Sequence, residues 1–315
     1  MALDKASREL FERLSQSRTK PRHEMTPLEA RETFSGIPKL VGEGPPVARV
    51  EDFKIPVEGT SILARLFVDR ANPEGVLVYL HGGGWVVGSV QEFDALCREL
   101  AVRTGYAIIA VNYRKAPEFP FPVPVDDSWT ALQWVAEHAE RLFGGSLPLL
   151  IGGDSAGGNL AIAMTLRART AGWPRLTAQV LIYPVTDCGM QTASYLDVAN
   201  QLSLTKEAMQ WYWEHYIPEP ATRALPEASP LRVSDCSGLP CAIVLTAEHD
   251  VLRDEAEEYV ARLRAAGVLV SHQRFAGQMH AFLMMGDVLP GSAAGLEFIS
   301  TELSRLKTSF QQQQE

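Results

Sequence analysis

The sequence Gly-Asp-Ser-Ala-Gly occupies positions 153–157, between a short apolar run at Leu147–Ile151 and a helical pattern from about Ala156 to Arg169. The apolar run predicts a strand buried on both faces, so the serine lies on a sharp turn from strand to helix. Such a turn is strained, and glycines two positions before and after the serine leave the necessary room. The unpaired amides at the start of the helix favour developing negative charge. Ser155 is therefore the candidate nucleophile.

A serine hydroxyl needs a base that takes its proton, and the chain has seven histidines. Three lie in predicted helices or linkers (His23, His138 and His215), and His272 lies inside a predicted strand. His280 instead follows the last predicted strand, beyond the C-terminal edge of the sheet, where open α/β sheets place their chemistry. We therefore predict His280 as the base.

The base needs an acid that orients its ring and stabilises the imidazolium. Asp250 comes just after the predicted strand Ala242–Thr246. Asp254 and Glu255 are rivals, but they lie at the start of the next predicted helix, where acidic residues usually cap the helix. Asp250 is the predicted acid.

A second motif, His-Gly-Gly-Gly-Trp at positions 81–85, follows the predicted buried strand Val76–Leu80. Three glycines let the backbone approach a ligand with its amides pointing inward, as an oxyanion hole requires. We predict this loop as one source of donors and the amide of Ala156 as the other. A phosphate loop is excluded because no Gly-Lys-Ser/Thr follows, and His81 has no partner at metal-ligand spacing. No metal or cofactor is expected.

Strands alternate with helices along most of the chain, which predicts an α/β fold: a mostly parallel central sheet with helices on both faces. The fifty residues after Thr186 break this alternation and predict an inserted helical cap. The expected division is N-terminal cap helices at 1–45, the first part of the catalytic domain at 46–185, the cap insertion at 186–240 and the second part at 241–315.

The composition excludes several classes of protein. The 29 basic and 38 acidic residues give a net charge of −9, which argues against binding to nucleic acid or to anionic membranes. No apolar run is long enough to span a membrane, and the N-terminus lacks a signal-peptide pattern, so a cytoplasmic location is expected. The four cysteines are scattered, which favours free buried thiols over disulfides: Cys97, Cys188, Cys236 and Cys241.

The order of these motifs resembles that of the hormone-sensitive-lipase-like (class IV bacterial) esterases of the α/β-hydrolase fold. The matching stretches lie at 81–85, 113–122, 153–159, 250–255 and 280–282. The resemblance implies that Ser155, Asp250 and His280 form a triad and that the amides of Gly82, Gly83 and Ala156 are the oxyanion donors. It also implies that short- to medium-chain carboxylic esters are hydrolysed. The chain departs from the family pattern at four positions: Lys115 for leucine, Phe119 for histidine, Val251 for proline and Ala281 for glycine.

Apolar residues near the motif ends and on the insertion predict a pocket for a small-molecule ester, although each could instead belong to the core. They are Trp85, Tyr183, Val185, Met209, Trp213, Leu252, Met279 and Phe282. Flexible methionines favour a broad range of substrates.

Two alternative functions and one possible partner stay open at this stage. Amide or lactone hydrolysis uses the same triad, whereas a non-catalytic receptor on this scaffold is disfavoured because His280 is present. The last predicted strand, Leu269–Phe275, could be a sheet edge that pairs across a homodimer.

Overall fold

The computed structural model describes residues 2–17 and 20–312. The described residues contain eight strands: β1 Arg49–Val57, β2 Thr60–Val68, β3 Val76–Leu80, β4 Ala107–Asn112, β5 Leu149–Asp154, β6 Ala178–Ile182, β7 Cys241–His249 and β8 Val270–Met279. They form one sheet in the order β1-β2-β4-β3-β5-β6-β7-β8. β2 is antiparallel to both β1 and β4, and every other neighbouring pair is parallel. The predicted mostly parallel sheet is confirmed.

The described helices are α1 Lys5–Ser17, α2 Pro27–Phe34, α3 Ile37–Val41, α4 Asp94–Thr104, α5 Val123–Phe143, α6 Ala156–Ala171, α7 Ala193–Leu196, α8 Lys206–Tyr216, α9 Arg253–Ala265 and α10 Pro290–Gln312. Successive side chains along the strands pack alternately into two separate hydrophobic cores, one on each face of the sheet. In β3, Val76, Val78 and Leu80 pack in one core with α5, α6 and α9, while Leu77 and Tyr79 pack in the other with α4 and α10. Helices therefore cover both faces of the sheet, as predicted.

β5 is longer than its apolar run suggests, because it continues through Gly152 and Gly153 to Asp154. A Cβ on Gly152 would lie 2.8 Å from the Val180 carbonyl oxygen, and one on Gly153 would lie 2.3 Å from that of Leu80. Neighbouring strands thus approach too closely here for any side chain. Glycine is rare in strands, so the residue pattern ends the strand too early.

The N-terminal segment contains one helix that the sequence did not predict. α2 begins as expected, with a capping box between Thr26 and Glu29. α3 follows directly at Ile37–Val41, although Gly36 and Pro38 suggested a stop. Proline is tolerated in the first turn of a helix, where its missing N–H has no partner to lose.

The segment 186–240 contains α7, α8 and three short 3₁₀ turns (Val198–Asn200, Pro220–Ala224 and Pro230–Arg232). α8 is the predicted helix, and the Thr205 side chain caps it by accepting from the Ala208 amide at 3.1 Å. The division into catalytic domain and cap stays a prediction. Positions 1, 18–19 and 313–315 of its ranges lie outside the described residues.

All four cysteines are free; Cys97 and Cys236 are buried, and Cys188 and Cys241 are half-buried.

Over residues 2–17 and 20–312, no helix is by itself long and apolar enough to cross a membrane. The helical segments Phe282–Val288 and Pro290–Thr308 pass that test only as a pair, by length and composition, and a 118° bend separates them.

Candidate active site

Ser155 lies at the turn between β5 and α6, with a strained backbone at φ 54° and ψ −119°. The turn runs against the end of β3, where a Cβ on Gly157 would lie 1.9 Å from the Leu80 carbonyl oxygen. Glycine at 153 and 157 is therefore required by contact with the neighbouring backbone. The helix behind the serine begins at Ala156, so its first amides point towards the serine hydroxyl.

Three side chains far apart in the sequence meet at this turn. Ser155 Oγ lies 3.0 Å from His280 Nε2, and His280 Nδ1 lies 2.7 Å from Asp250 Oδ2. With its proton on Nδ1, the imidazole donates to Asp250 and accepts from Ser155. Asp250 is also held by the Leu252 amide, which donates to Oδ1 at 3.0 Å. All three residues are buried. This is the arrangement that activates a serine nucleophile.

The two rival acids lie away from this contact and hold the insertion instead. Asp254 Oδ2 accepts from the Ser194 amide at 2.7 Å. Glu255 Oε1 accepts from the amides of Thr186 and Asp187 at 2.7 and 3.2 Å. Burial raises the pKa of Glu255 well above its usual value. Both carboxyl groups therefore anchor the start of the segment 186–240.

The hydrogen bonds of the glycine loop contradict the prediction of Gly82 as an oxyanion donor. The Gly82 amide donates to Asp154 Oδ1 at 2.8 Å, so it is engaged by a buried carboxyl group and is not free for an oxyanion. Gly83 and Gly84 line the cavity that contains Ser155, whereas Gly82 does not. Sequence reasoning missed Gly84, because a run of three glycines does not reveal which amide points inward.

Side chains fix the orientation of the peptide groups in this loop. Tyr113 Oη donates to the His81 carbonyl at 2.8 Å, and His81 Nδ1 donates to the Gly82 carbonyl at 2.7 Å. In a trans peptide the C=O and N–H point in opposite directions. Because the Gly82 carbonyl is held by His81, the Gly83 N–H of the same peptide group points to the other side.

Burial perturbs two titratable groups under the loop. Burial raises the pKa of Asp154 to about 6, although bonds from Tyr79 Oη (2.7 Å) and the Gly82 amide favour its charged form. Burial, followed by the nearby Lys115 ammonium, lowers the pKa of His81 to about 3. His81 is therefore neutral and serves to hold the loop. Among the described residues, no group of three or more His, Cys, Asp or Glu side chains is arranged to hold a metal ion.

A cavity of about 390 Å³ opens above Ser155 and His280, and three parts of the chain line it. The N-terminal segment contributes Leu14, Arg22, Met25, Thr33, Phe34, Gly36, Ile37 and Leu40. The segment 186–240 contributes Ser203, Leu204, Ala208, Met209 and Tyr212. The catalytic part contributes Gly83, Gly84, Phe93, Asp154, Met279, Ala281, Phe282, Met284 and Met285. The wall is mainly apolar and contains five methionines.

The predicted pocket residues divide into two groups. Met209, Met279 and Phe282 line the cavity, but five others do not: Trp85, Tyr183, Val185, Trp213 and Leu252. These five are buried in the packing around the site. Trp85 stacks on Tyr216 (ring centroids 4.2 Å) and contacts Trp213 (4.8 Å), which joins the glycine loop to α8.

Tyr183 lies against the His280 ring, with centroids 4.8 Å apart, while Val185 and Leu252 belong to the core. Sequence reasoning missed the N-terminal side chains of the wall, such as Phe34 and Ile37. Their apolar spacing marks a buried helix face but not what that face covers.

Known proteins of similar sequence and structure share the fold of this chain. A family model described as the alpha/beta hydrolase fold matches residues 77–284. The ethyl acetate hydrolase of Pseudomonas putida is 36% identical over 294 residues, covering 90% of this chain and 92% of that protein. Carboxylesterase NlhH of Mycobacterium tuberculosis is 36% identical over 255 residues, covering 79% and 80%. The crystal structure of a hyperthermophilic esterase from the archaeon Pyrobaculum calidifontis superposes with a TM-score of 0.91 at 35% identity, covering 97% and 99%.

Fold, motif order and these similarities define an α/β hydrolase, and the chain belongs to the hormone-sensitive-lipase-like esterase family of that fold. It is a serine esterase that acts on carboxylic esters.

Proposed function

We propose that the protein hydrolyses carboxylic esters with short to medium acyl chains through a covalent acyl-enzyme on Ser155. One observation carries the proposal: an unbroken chain of hydrogen bonds joins Ser155, His280 and Asp250 at the base of an apolar cavity. A hydroxyl alone is too weak a nucleophile, and this chain supplies the base that it needs.

In the first half-reaction Ser155 Oγ attacks the ester carbonyl carbon while its proton passes to His280 Nε2. Asp250 stays ionised and stabilises the imidazolium. When the C–O bond to the alcohol breaks, His280 returns the proton to the leaving oxygen. In the second half, water attacks the acyl-enzyme, with His280 again taking and returning a proton.

The negative charge on the carbonyl oxygen needs donors that are already in place. We assign these to the amides of Gly83, Gly84 and Ala156. Two observations support Gly84 in place of Gly82: Gly84 lines the cavity beside Ser155, and the Gly82 amide is bonded to Asp154.

The chain-length range follows from the size of the cavity. Ligand pockets usually measure about 300–1,000 Å³, and the cavity here, at about 390 Å³, lies near the lower end. Acyl and alcohol groups share this space, which favours small esters over long-chain lipids. Its methionines are flexible enough to adapt to several shapes.

Turnover of p-nitrophenyl esters of increasing acyl length, with matched anilides and lactones, tests the proposal. Ser155→Ala and His280→Ala should each lower kcat by about 10⁴-fold or more with folding intact. Ser304→Ala, at an exposed helix position, is the matched control and should keep full activity. Retention of a tenth of the activity by either active-site variant rejects the assignment. Faster turnover of the anilides or lactones points to the alternative activities.

We further propose that α1–α3 and residues 186–240 act together as a cap over Ser155. In support, side chains of both segments line the same cavity, Phe34 and Ile37 from one and Met209 and Tyr212 from the other. Movement of either segment would then change access to the nucleophile.

A homodimer through β8 is a second proposal. β8 is the last strand of the sheet, so no strand within residues 2–17 and 20–312 pairs with the outer side of its backbone. Its first half, Val270–Arg274, is exposed or half-exposed. Light scattering on a size-exclusion column would report the mass, and a monomer at micromolar concentration overturns this proposal.

We also propose a cytoplasmic location, which the four free thiols fit because that compartment keeps cysteines reduced. Fractionation of the native host is the test, and recovery of the protein from the culture medium contradicts it.

A further inference from the structure

The loop at 113–118 lies directly behind the glycine loop and holds both of its ends. Tyr113 Oη donates to the His81 carbonyl at 2.8 Å, and the Ala116 amide donates to the Trp85 carbonyl at 2.9 Å. The Tyr113 ring also stacks on the His81 ring, with centroids 4.4 Å apart. Whatever orders the loop 113–118 therefore orders the proposed oxyanion donors.

Lys115 points into this supporting layer. Its Nζ donates to Asn112 Oδ1 at 3.1 Å and to the Tyr113 carbonyl at 3.2 Å. Both acceptors are neutral, and no carboxylate of the described residues lies within 4 Å of the ammonium. A partly buried cation without a carboxylate is costly to keep unless it serves a purpose. The esterase family that this chain resembles has leucine at this position, so the cation is a feature in which this chain differs from the family pattern.

Charged groups from four directions surround Lys115: Arg31 of α2, Glu92 before α4, Asp127 of α5 and Glu118 of its own loop. Two of the three carboxylates are already bound by arginines, Glu118 by Arg31 and Asp127 by Arg114, both at 2.6 Å. Glu92 accepts a hydrogen bond from Ser89.

This environment weakens the hold of Lys115 on its proton. Burial, followed by the charge of Arg31, lowers the pKa of Lys115 to about 8. The charge of Lys115 also acts on a residue of the glycine loop, because the Lys115 ammonium contributes to the lowered pKa of His81. His81 is the ring that holds the Gly82 carbonyl.

We propose that Lys115 is a positioning residue of this esterase, whose ammonium orders the loop behind the oxyanion donors and adds a positive charge on that side of the transition state. The proposal rests on the oxyanion site assigned above. A positive charge in a buried setting attracts the oxyanion of the transition state far more than the neutral ester. Loss of the charge should therefore lower kcat and leave KM nearly unchanged.

The pH dependence has a definite sign. A lysine is charged below its pKa, so the ammonium is present at pH 7 and is lost as the pH rises through about 8. The wild-type rate should fall over the same range.

The test measures kcat and KM for ethyl butyrate in a pH-stat between pH 6 and 10. Wild-type kcat should fall about tenfold across pH 8, the order expected for one charge acting through a partly buried medium. Lys115→Met should start about tenfold lower at pH 7 and show no alkaline fall. Lys115→Arg keeps a cation that does not titrate in this range, and it should stay fast to pH 10. KM should change less than twofold in each of the two variants.

Lys54→Met, at an exposed position on β1, is the matched control and should behave as wild type. A wild-type rate and alkaline fall in Lys115→Met overturn the proposal, as does an unchanged alkaline fall in Lys115→Arg. If Lys115→Met does not fold, the profile of Lys115→Arg decides alone. Failure of the proposed catalytic function would appear separately, as activity that survives Ser155→Ala.

Discussion

The catalytic serine and the residue that follows the catalytic histidine both have a positive φ, a backbone conformation that costs free energy. Ser155 has φ 54°, and Ala281, directly after His280, has φ 68° and ψ 16°. A non-glycine residue in this region costs about 1–2 kcal/mol. The serine cannot be replaced without losing its hydroxyl. The methyl group of Ala281 has no such role, so its strain can be removed.

Ala281→Gly should stabilise the fold by about 0.5–1 kcal/mol, because relief of the strain exceeds the extra flexibility that glycine gives the unfolded chain. Urea unfolding measures the change. Ala261→Gly, in the exposed middle of α9, is the opposite control and should destabilise by about 1 kcal/mol. If both variants lose stability equally, the conformation of Ala281 is not strained.

Asp154 makes stability depend on pH. Its pKa in the fold is about 6, against 3.8 without burial, so the folded state prefers the protonated acid. This preference stabilises the fold fully below about pH 4 and is lost as the pH rises through 6. Above that, burying the charge costs about 3 kcal/mol.

Asp154→Asn removes this titration and keeps an oxygen that can accept from Tyr79 and Gly82. Relative to wild type, the variant should gain about 2 kcal/mol between pH 4.5 and pH 8, because about 1 kcal/mol of the total is already lost at pH 4.5. Urea unfolding at the two pH values gives the difference. An equal difference in stability at both values would show that the carboxyl group is not perturbed.

At the scale of elements, one side chain of α2 makes several hydrogen bonds to the catalytic part. Arg31 Nε donates to the Val86 carbonyl at 2.9 Å, and Nη2 donates to that of Ala116 at 2.8 Å. The same guanidinium pairs with Glu118 at 2.6 Å and lowers the pKa of that carboxyl to about 2. Because α2 carries Phe34 and Thr33 on the cavity wall, this attachment sets the shape of the pocket.

Arg31→Met should loosen α2 and raise KM for an octanoate ester about fivefold more than for an acetate ester, since two charge-assisted bonds are lost. Glu118→Gln is the matched control. It leaves both carbonyl bonds in place and removes only an exposed ion pair, which is worth about 0–1 kcal/mol. Steady-state kinetics on both esters decides. Equal effects of the two substitutions would mean that the ion pair, and not the carbonyl bonds, holds α2.

At the scale of the whole molecule, the sequence predicts the sheet because buried strands alternate regularly with helices. It also points to Ser155, Asp250 and His280, since each follows a strand and parallel strands bring their C-terminal ends to one edge. Gly82 was wrong as a donor for a different reason. The orientation of a peptide group depends on a distant partner, Asp154, and no local pattern reveals it.

The prediction of pocket residues from the sequence is limited for a similar reason. Trp85 ends the glycine motif and Trp213 lies on the predicted helix of the insertion, yet each packs against the other and leaves the cavity to smaller side chains. Position along the chain shows which residues are near the site but not which way they point. The N-terminal wall, with Leu14 and Leu40, depends on how distant segments pack, which residue spacing does not encode.

Removal of residues 1–40 should expose the apolar cavity, because eight residues of its wall come from this segment. The shortened protein should either aggregate or lose its preference among acyl lengths. Light scattering and the p-nitrophenyl series give the two readouts. A monodisperse protein with an unchanged preference contradicts the cap.

The two carboxyl groups after the catalytic acid have a consequence for engineering. Asp254 and Glu255 bind the first residues of the segment 186–240, and they share one short stretch of chain with Asp250. If the segment 186–240 is grafted from a relative, its backbone amides therefore lose these carboxylate acceptors unless residues 250–255 are transplanted with it. Chimeras that exchange both pieces should keep their activity, whereas grafts of the insertion alone disturb the turn that presents the acid.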